Sequence, residues 1–287
     1  MTKSKPLLSR DVFIEQHQAL ETKIFNKKGT PTGQNLLSEV AYKNLFSEGA
    51  KSLKATNRTV RIEFATEAHE RLSLYLKQFP RTRLSFVTLT PLACCVPTNG
   101  DHQKAIEDLQ ILLYEQFGGF SFYGFIEPGL FADFPITLNN KKTVSWHVHM
   151  LVWEDYPNTF SEITGIIDQF NNDYEALIPG KAAGHLRSVN HQQALKRVWY
   201  MSKAPLRDIH VFRARATGAY KSKKRLLRPG QAILLHNIMS DMSVVDLCVS
   251  NFSGDEIAEG TKLATIATVE RREQERYDNY YRRKKRR

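Results

Sequence analysis

Residues 143–153 read TVSWHVHMLVW, a stretch dominated by β-branched and aromatic residues. This composition predicts a β-strand. Alternate residues of a strand point to opposite faces, so His147 and His149 are expected to lie side by side on one face. The other face then carries the apolar side chains of Trp146, Val148, Met150 and Val152. The stretch therefore predicts a strand that packs on one side and presents two imidazoles on the other.

Helix and strand patterns interleave on both sides of this strand, which predicts an α+β fold with a central antiparallel sheet flanked by helices. Further strands are expected at residues 83–90, 121–127, 185–189 and 208–214. Helices are expected at residues 9–24, 59–79, 101–117, 161–177, 190–204 and 230–249, with loops at 26–35, 179–184 and 250–260. Pro128 should end the strand before it, and residues 128–142 should form a long, candidate functional loop.

We divide the chain into an N-terminal helical leader (1–58), a core domain (59–214) and a helical, basic C-terminal extension (215–287). A hydrophobic fraction of 41% is ordinary for a globular protein. No apolar run is long enough to span a membrane, and the polar N-terminus lacks the pattern of an export signal. Three cysteines form neither a disulfide framework nor a zinc cluster, and we interpret the adjacent Cys94 and Cys95 as small core residues.

Positive charge is concentrated in two segments of a chain whose formal net charge is +11. Residues 213–228 contain seven Lys or Arg and no acidic residue, and residues 269–287 contain nine against four. Such clusters favour a polyanionic partner, because phosphate contacts release bound counterions. A solubilising tail, or a nuclear address in a eukaryotic cell, is the alternative. The residues expected to contact nucleic acid are Lys196, Arg213, Arg215, Lys221, Lys223, Lys224, Arg225 and Arg228.

Glu127 ends the strand that precedes the histidine strand. In an antiparallel hairpin it would lie opposite Ser145 or His147. A carboxylate beside two imidazoles is a three-ligand set that suits a hard divalent ion such as Mg²⁺ or Mn²⁺. The alternatives are two polar histidines on a solvated face and a strand-end glutamate in water.

Tyr200 and Lys203 lie three residues apart in the predicted helix 190–204, and Lys196 precedes the tyrosine by one turn. Residues at these spacings share a helical face, so the phenol should lie between two ammonium groups. Nearby positive charge favours the phenolate, which is a competent nucleophile toward phosphorus. The alternative is a core tyrosine with lysines that extend past it to solvent.

Three motifs, in this order, resemble those of HUH endonucleases: Phe86-Val-Thr-Leu-Thr90, His147-Val-His149 and Tyr200-x-x-Lys203. Over roughly residues 83–214 the chain is most similar to single-tyrosine rolling-circle replication initiators, the Rep proteins of plasmids and phages. The resemblance implies a central antiparallel sheet akin to the RNA-recognition-motif fold, with the first motif strand supporting the floor of the site. The core domain would then be an HUH nuclease domain.

The same resemblance implies roles for individual side chains. His147, His149 and, with a looser match to the family, Glu127 would bind the divalent metal ion. Tyr200 would be the nucleophile, and Lys203 would steady the phosphate or the tyrosine. The implied activity is site-specific nicking and joining of DNA through a 5′-phosphotyrosine, which initiates rolling-circle replication.

The sequence contains no P-loop motif for nucleotide binding, so a helicase would come from the host. The expected setting is the cytoplasm of a bacterial host, with single-stranded or hairpin origin DNA as substrate and host helicase and polymerase as partners. The oligomeric state stays open. A transposase of the same superfamily would share the cleavage chemistry. A non-catalytic nucleic-acid-binding protein would instead stack bases on a sheet face that carries Tyr123, Phe125 and the two histidines.

Overall fold

The computed structural model describes residues 8–31, 33, 35–46, 52–132, 142–153 and 159–285. Its helices are α1 (Arg10–Lys28), α2 (Glu39–Phe46), α3 (Arg58–Gln78), α4 (His102–Phe117), α5 (Thr159–Asp173), α6 (His191–Met201), α7 (Pro229–Ile238) and α8 (Ser253–Lys285). Its strands are β1 (Leu84–Leu89), β2 (Cys95–Pro97), β3 (Ser121–Phe131), β4 (Thr143–Trp153), β5 (Gly184–Val189), β6 (Arg207–Arg213), β7 (Tyr220–Leu226) and β8 (Cys248–Asn251). None of the helices in these ranges is both long and apolar enough for a membrane crossing.

The strands form one eight-stranded sheet with β4 near its centre. The main path runs β5-β1-β4-β3-β6-β7, while β2 pairs with β4 and β8 pairs with β3. All pairings are antiparallel except the short parallel contact between β3 and β6. The predicted α+β fold with a central, mainly antiparallel sheet and flanking helices is therefore confirmed.

Helices cover both faces of the sheet. On the face opposite the histidines, His102 of α4 contacts Trp146 of β4, and Phe170 of α5 packs near Leu89 and Gly184. The histidine face is covered by α3 and α6. This double cover explains why every residue of β3 is buried and why β4 is almost entirely so.

The prediction that Pro128 ends its strand is wrong, because β3 continues to Phe131. On the side away from β4, β3 pairs first with β8 and then, from Leu130 onward, with β6. Ile126 directs its N–H to that side, to the carbonyl of Leu247, and Pro128 two residues later faces the same way. The proline thus lies between two ladders, where a missing N–H breaks no strand pairing. Of the predicted loop 128–142, residues 133–141 lie outside the described residues.

The C-terminal part of the chain joins the same sheet. Residues 220–226 of the predicted C-terminal extension form β7, which pairs with β6. The helix predicted over 230–249 ends at Ile238, and the loop predicted over 250–260 contains the end of β8 and the start of α8. Helix α8 begins so close to β3 that a Cβ at Gly254 would lie 1.8 Å from the Phe122 carbonyl oxygen, so only glycine fits there.

A buried histidine ties α7 to α2. His236 is 4% exposed and its Nε2–H donates to the Ala41 carbonyl at 3.1 Å. Burial lowers the pKa of His236 to about 4 from its ordinary 6.5. The folded state therefore binds this proton less readily than the unfolded chain does. The stability that the neutral ring confers is present above pH 6.5 and is lost as the pH falls toward the folded value.

We expect protonation of His236 to remove about 2 kcal/mol from the free energy of unfolding between about pH 7 and about pH 5. His236→Gln keeps a donor for Ala41 but cannot titrate. Urea unfolding of both proteins at the two pH values should show a larger loss in the wild type by about this amount. His17, another buried histidine, has the same sign of effect but is present in both proteins. An equal loss in the two proteins would contradict the prediction.

Candidate metal and tyrosine site

The hairpin of β3 and β4 brings three candidate ligands together. His147 and His149 lie on one face of β4, and Glu127 of β3 pairs directly with His147 in the ladder. The strand register therefore confirms the sequence prediction that Glu127 lies across from this part of the histidine strand. On the opposite face of β4, Trp146 and Val148 are fully buried, as the alternation predicts.

The side chains converge at their tips. The Glu127 Oε2 atom lies 3.8 Å from His147 Nε2 and 3.6 Å from His149 Nε2. One ligand atom from each residue fits within a mutual distance of 4.8 Å. The Glu127 and His149 side chains are 5% and 7% exposed, and that of His147 is 17% exposed, so the cluster opens to solvent on the His147 side.

Hydrogen bonds from neighbouring residues orient both imidazoles. A carbonyl oxygen only accepts, so His147 Nδ1–H donates to Ser145 O at 3.3 Å, and its Nε2 keeps the lone pair. His149 Nδ1 lies 2.8 Å from the Thr88 hydroxyl of β1, and its Nε2 also points toward Glu127. Fixing the distal nitrogen in this way is typical of histidines that bind a metal ion.

The electrostatics keep both imidazoles neutral, the form that can bind a metal. Burial, reinforced by the charge of Lys203, lowers the pKa of His147 to about 3 and that of His149 well below its ordinary value. Burial also raises the pKa of Glu127, while the positive charges of Lys203 and Arg61 act in the opposite direction. The carboxylate is thus buried beside cations that favour its ionised form.

One oxygen of Glu127 has no partner. Its Oε1 atom is buried and accepts no hydrogen bond from the part of the chain that the structure describes. A buried carboxylate oxygen without a donor is costly, and an ion at this place would satisfy it. Together with the Nε2 atoms of the two imidazoles, the carboxylate of Glu127 fits a cation. The Glu127-His147-His149 cluster could therefore hold a metal ion.

Lys203 already neutralises the other oxygen. Its ammonium forms an ion pair with Glu127 Oε2 and also donates to the Tyr200 carbonyl at 3.3 Å. The Lys203 side chain is 26% exposed, so it borders both the buried carboxylate and solvent. The Lys203 ammonium and a metal ion in the cluster would therefore compete for the same carboxylate.

Tyr200 packs directly on the cluster. Helix α6 starts at a capping box, in which Asn190 and Gln193 bond reciprocally. This start places the half-buried Tyr200 with its ring centroid 4.9 Å from that of His149. The Lys203 ammonium lies 4.3 Å from the centre of the same ring. The imidazole pair of β4 therefore meets the phenol and the lysine of a helix that lies far from it in the sequence.

The predicted nucleic-acid contacts differ in their surroundings. Those with exposed side chains are Lys196, Arg213, Arg215, Lys221, Lys223, Lys224 and Arg228. Lys224 lies on the histidine face of the sheet, and its charge acts on Glu127 and both imidazoles. Arg225 points to the other face, where its guanidinium bonds to the buried Asp208 at 3.1 Å. Arg225 is thus occupied by an internal ion pair.

Two site residues were missed by the sequence interpretation. Arg61 of α3 is buried, donates to the carbonyls of Ala55 and Ser202, and acts on Glu127 from a distant part of the sequence. No local pattern indicates it. Arg197 stands one turn before Tyr200 on α6, at a spacing that could have identified it.

The face proposed for base stacking is closed in this structure. Tyr123 and Phe125 are 2% and 3% exposed, and the Phe125 ring packs edge-on against Phe64 of α3. Bases cannot reach the Phe125 ring without displacing α3, and the Tyr123 ring is equally closed to solvent. The arrangement does not favour the alternative of an open aromatic binding sheet.

We expect Mn²⁺ to raise the melting temperature of the wild type, because a ligand that binds only the folded state stabilises it. His147→Ala and His149→Ala each remove one nitrogen ligand and should abolish most of this shift. Differential scanning fluorimetry with and without the ion measures the effect. His210→Ala, which removes a histidine from the other face of the sheet, is the matched control and should keep the shift. Equal shifts in all four proteins would rule out the cluster.

Lys203→Met should strengthen Mn²⁺ binding, because it removes the cation that competes for Glu127. Repulsion between two cations at a partly exposed site is worth at least about 1 kcal/mol, which corresponds to an increase in affinity of about fivefold or more. Isothermal titration calorimetry gives both affinities, and Lys196→Met on the exposed side of α6 is the control. Weaker binding by Lys203→Met would mean that the lysine supports the ion instead.

Comparison with known proteins identifies no relative of this chain. No family model matches the chain, and searches of curated proteins and of solved structures give no match either. The interpretation of the site therefore depends on its own geometry and on the order of its sequence motifs.

Proposed function

We propose that this protein is a metal-dependent DNA strand transferase that nicks and rejoins single-stranded or hairpin origin DNA, and so initiates rolling-circle replication of a plasmid or phage. One observation carries the proposal. The Tyr200 ring lies against His149 of a buried cluster that could hold a metal ion. The order of the motifs, which resembles that of HUH endonucleases, supports the same conclusion.

Tyr200 performs the bond exchange in this proposal. Its hydroxyl oxygen attacks the scissile phosphorus, an O–P bond to tyrosine forms, and the bond from phosphorus to the 3′ oxygen breaks. The proton lost by the phenol is balanced by the proton that the departing 3′ oxygen takes up. The protein keeps the 5′-phosphate as a phosphotyrosine and releases a 3′-hydroxyl that can prime synthesis. Because the covalent link retains the phosphodiester energy, the reverse reaction joins the strand without a nucleotide cofactor.

Other residues of the site prepare this step. Glu127, His147 and His149 would hold Mg²⁺ or Mn²⁺, which supplies Lewis-acid polarisation of the scissile phosphate. Lys203, close to both the Tyr200 ring and Glu127, would place a positive charge beside the attacking oxygen and the phosphate. The half-buried position of Tyr200 favours a substrate whose backbone can be drawn into the site, as a single strand can.

The exposed cations hold the flanking DNA in this proposal. On the histidine face of the sheet, the exposed Arg213 and Lys224 project from β6 and from the edge strand β7. Contacts of this kind bind the phosphate backbone without reading sequence. We expect the affinity to fall steeply with salt, as it does whenever lysines replace counterions along a strand.

Tyr200→Phe should abolish the covalent DNA adduct but change DNA affinity by less than about twofold, because only the attacking oxygen is lost. A random pool of single-stranded oligonucleotides, incubated with Mn²⁺ and separated on a denaturing gel, reveals the adduct. The proposed polarity requires that a label at the 3′ end becomes attached to the protein, whereas a label at the 5′ end is released.

Tyr277→Phe is the matched control, since Tyr277 is an exposed tyrosine of the C-terminal helix. It should form as much adduct as the wild type does. An adduct with Tyr200→Phe, or one that persists after chelation of divalent ions, would reject this mechanism. DNA binding without an adduct in the wild type would favour a non-catalytic binding protein.

A further inference from the structure

Arg197 occupies an unusual position beside the proposed nucleophile. Its guanidinium carbon lies 4.4 Å above the Phe86 ring and 5.5 Å from the centre of the Tyr200 ring. Both rings in turn contact His149. The guanidinium is therefore held against the wall of the site by cation–π contacts.

The hydrogen-bonding capacity of Arg197 is not used up within the protein. Its Nε atom is buried and has no hydrogen-bond partner, and Arg197 forms no ion pair with a carboxylate of the described residues. A planar guanidinium offers five donors in a fork that matches the oxygens of a phosphate. The Arg197 guanidinium, held in place by aromatic rings, is thus preorganised to bind an anionic ligand.

The charge around Arg197 supports the same conclusion. Arg187 of the neighbouring edge strand β5 is close enough to oppose the charge of Arg197, and Arg197 acts in turn on His149. The buried carboxylate of the site, Glu127, is already paired with Lys203. Among the described residues that act on Arg197, no carboxylate supplies a compensating negative charge. A bound phosphodiester would supply it.

We propose that Arg197 is a catalytic residue that binds the non-bridging oxygens of the scissile phosphodiester and holds its phosphorus within reach of Tyr200. This assignment rests on the proposed strand-transfer function. The two cations next to the Tyr200 ring then have different roles. Lys203 pairs with the Glu127 carboxylate and lies beside the phenol, whereas Arg197 binds the substrate phosphate. The competing explanation is that Arg197 only packs on Phe86 with its aliphatic stem.

Two variants separate these explanations. Arg197→Met keeps an apolar stem on Phe86 but removes the charge, whereas Arg197→Lys keeps the charge but loses the planar fork. Lys104→Met, on the exposed side of α4 and remote from the histidine face, is the matched control. Thermal unfolding of all variants establishes that they are folded before binding or chemistry is compared.

The first measurement is the affinity for a single-stranded oligothymidylate in a Tyr200→Phe background, without divalent ions and over a range of salt concentrations. Arg197→Met should reduce the slope of log affinity against log salt by about 0.7, the loss of one phosphate contact on a single strand. Arg197→Lys and Lys104→Met should leave the slope unchanged. An unchanged slope for Arg197→Met overturns the assignment whether or not the wild type cleaves DNA.

The second measurement is the single-turnover rate of adduct formation with Tyr200 intact. Arg197→Met should slow it by about 10²-fold or more, as removal of one positioned donor to a developing anion does, and Arg197→Lys should recover only part of the loss. Normal rates in both variants would reduce Arg197 to a packing residue. If the wild type forms no adduct but the salt slope still falls for Arg197→Met, the strand-transfer function fails while the phosphate site stands.

Discussion

The register between β3 and β4 is the constraint on which the site depends. Glu127 meets His147 because the two eleven-residue strands pair along their full length. A shift of one residue would turn Glu127 toward the opposite face and separate it from both imidazoles. Burial opposes that shift, because the shift would also move fully buried residues such as Trp146 and Val148 to the other face of the sheet. There they would meet a different layer of helices. The packing that stabilises the hairpin thus also fixes the cluster that could hold a metal ion.

Burying Glu127 requires compensation, and helices from both ends of the core domain provide it. The Ser202 carbonyl, at the end of α6, lies within hydrogen-bond distance of both Arg61 Nη2 and His17 Nε2. Burial lowers the pKa of Arg61 to about 10, and the charge of Glu127 acts in the opposite direction. Because Lys203 directly follows this anchored carbonyl, α1 and α3 hold the lysine against the carboxylate. The N-terminal helix is therefore part of the support of the site.

The sequence predicted those features that depend on short-range periodicity. The histidine strand 143–153 and the capped helix after Asn190 are confirmed, because alternation and capping chemistry are local. The end predicted for β3 at Pro128 is wrong, because a proline interrupts a strand only where its missing N–H would have bonded to a neighbouring strand. The helix predicted over 230–249 was too long because the segment that follows α7 also buries apolar side chains, among them Met242, Val244 and Leu247. Arg61 was missed because only the folded chain brings it to Glu127.

The two sides of the site differ in exposure and in charge. Toward α6, the rings of Phe86 and Tyr200 close over His149, which leaves that imidazole almost inaccessible. Toward β7, His147 and Lys203 remain partly exposed, and Lys224 contributes positive charge from the same face. Positive charge therefore borders solvent on the β7 side of the cluster, whereas aromatic rings close the α6 side. Tyr200 belongs to the closed side and contacts both His149 and Lys203.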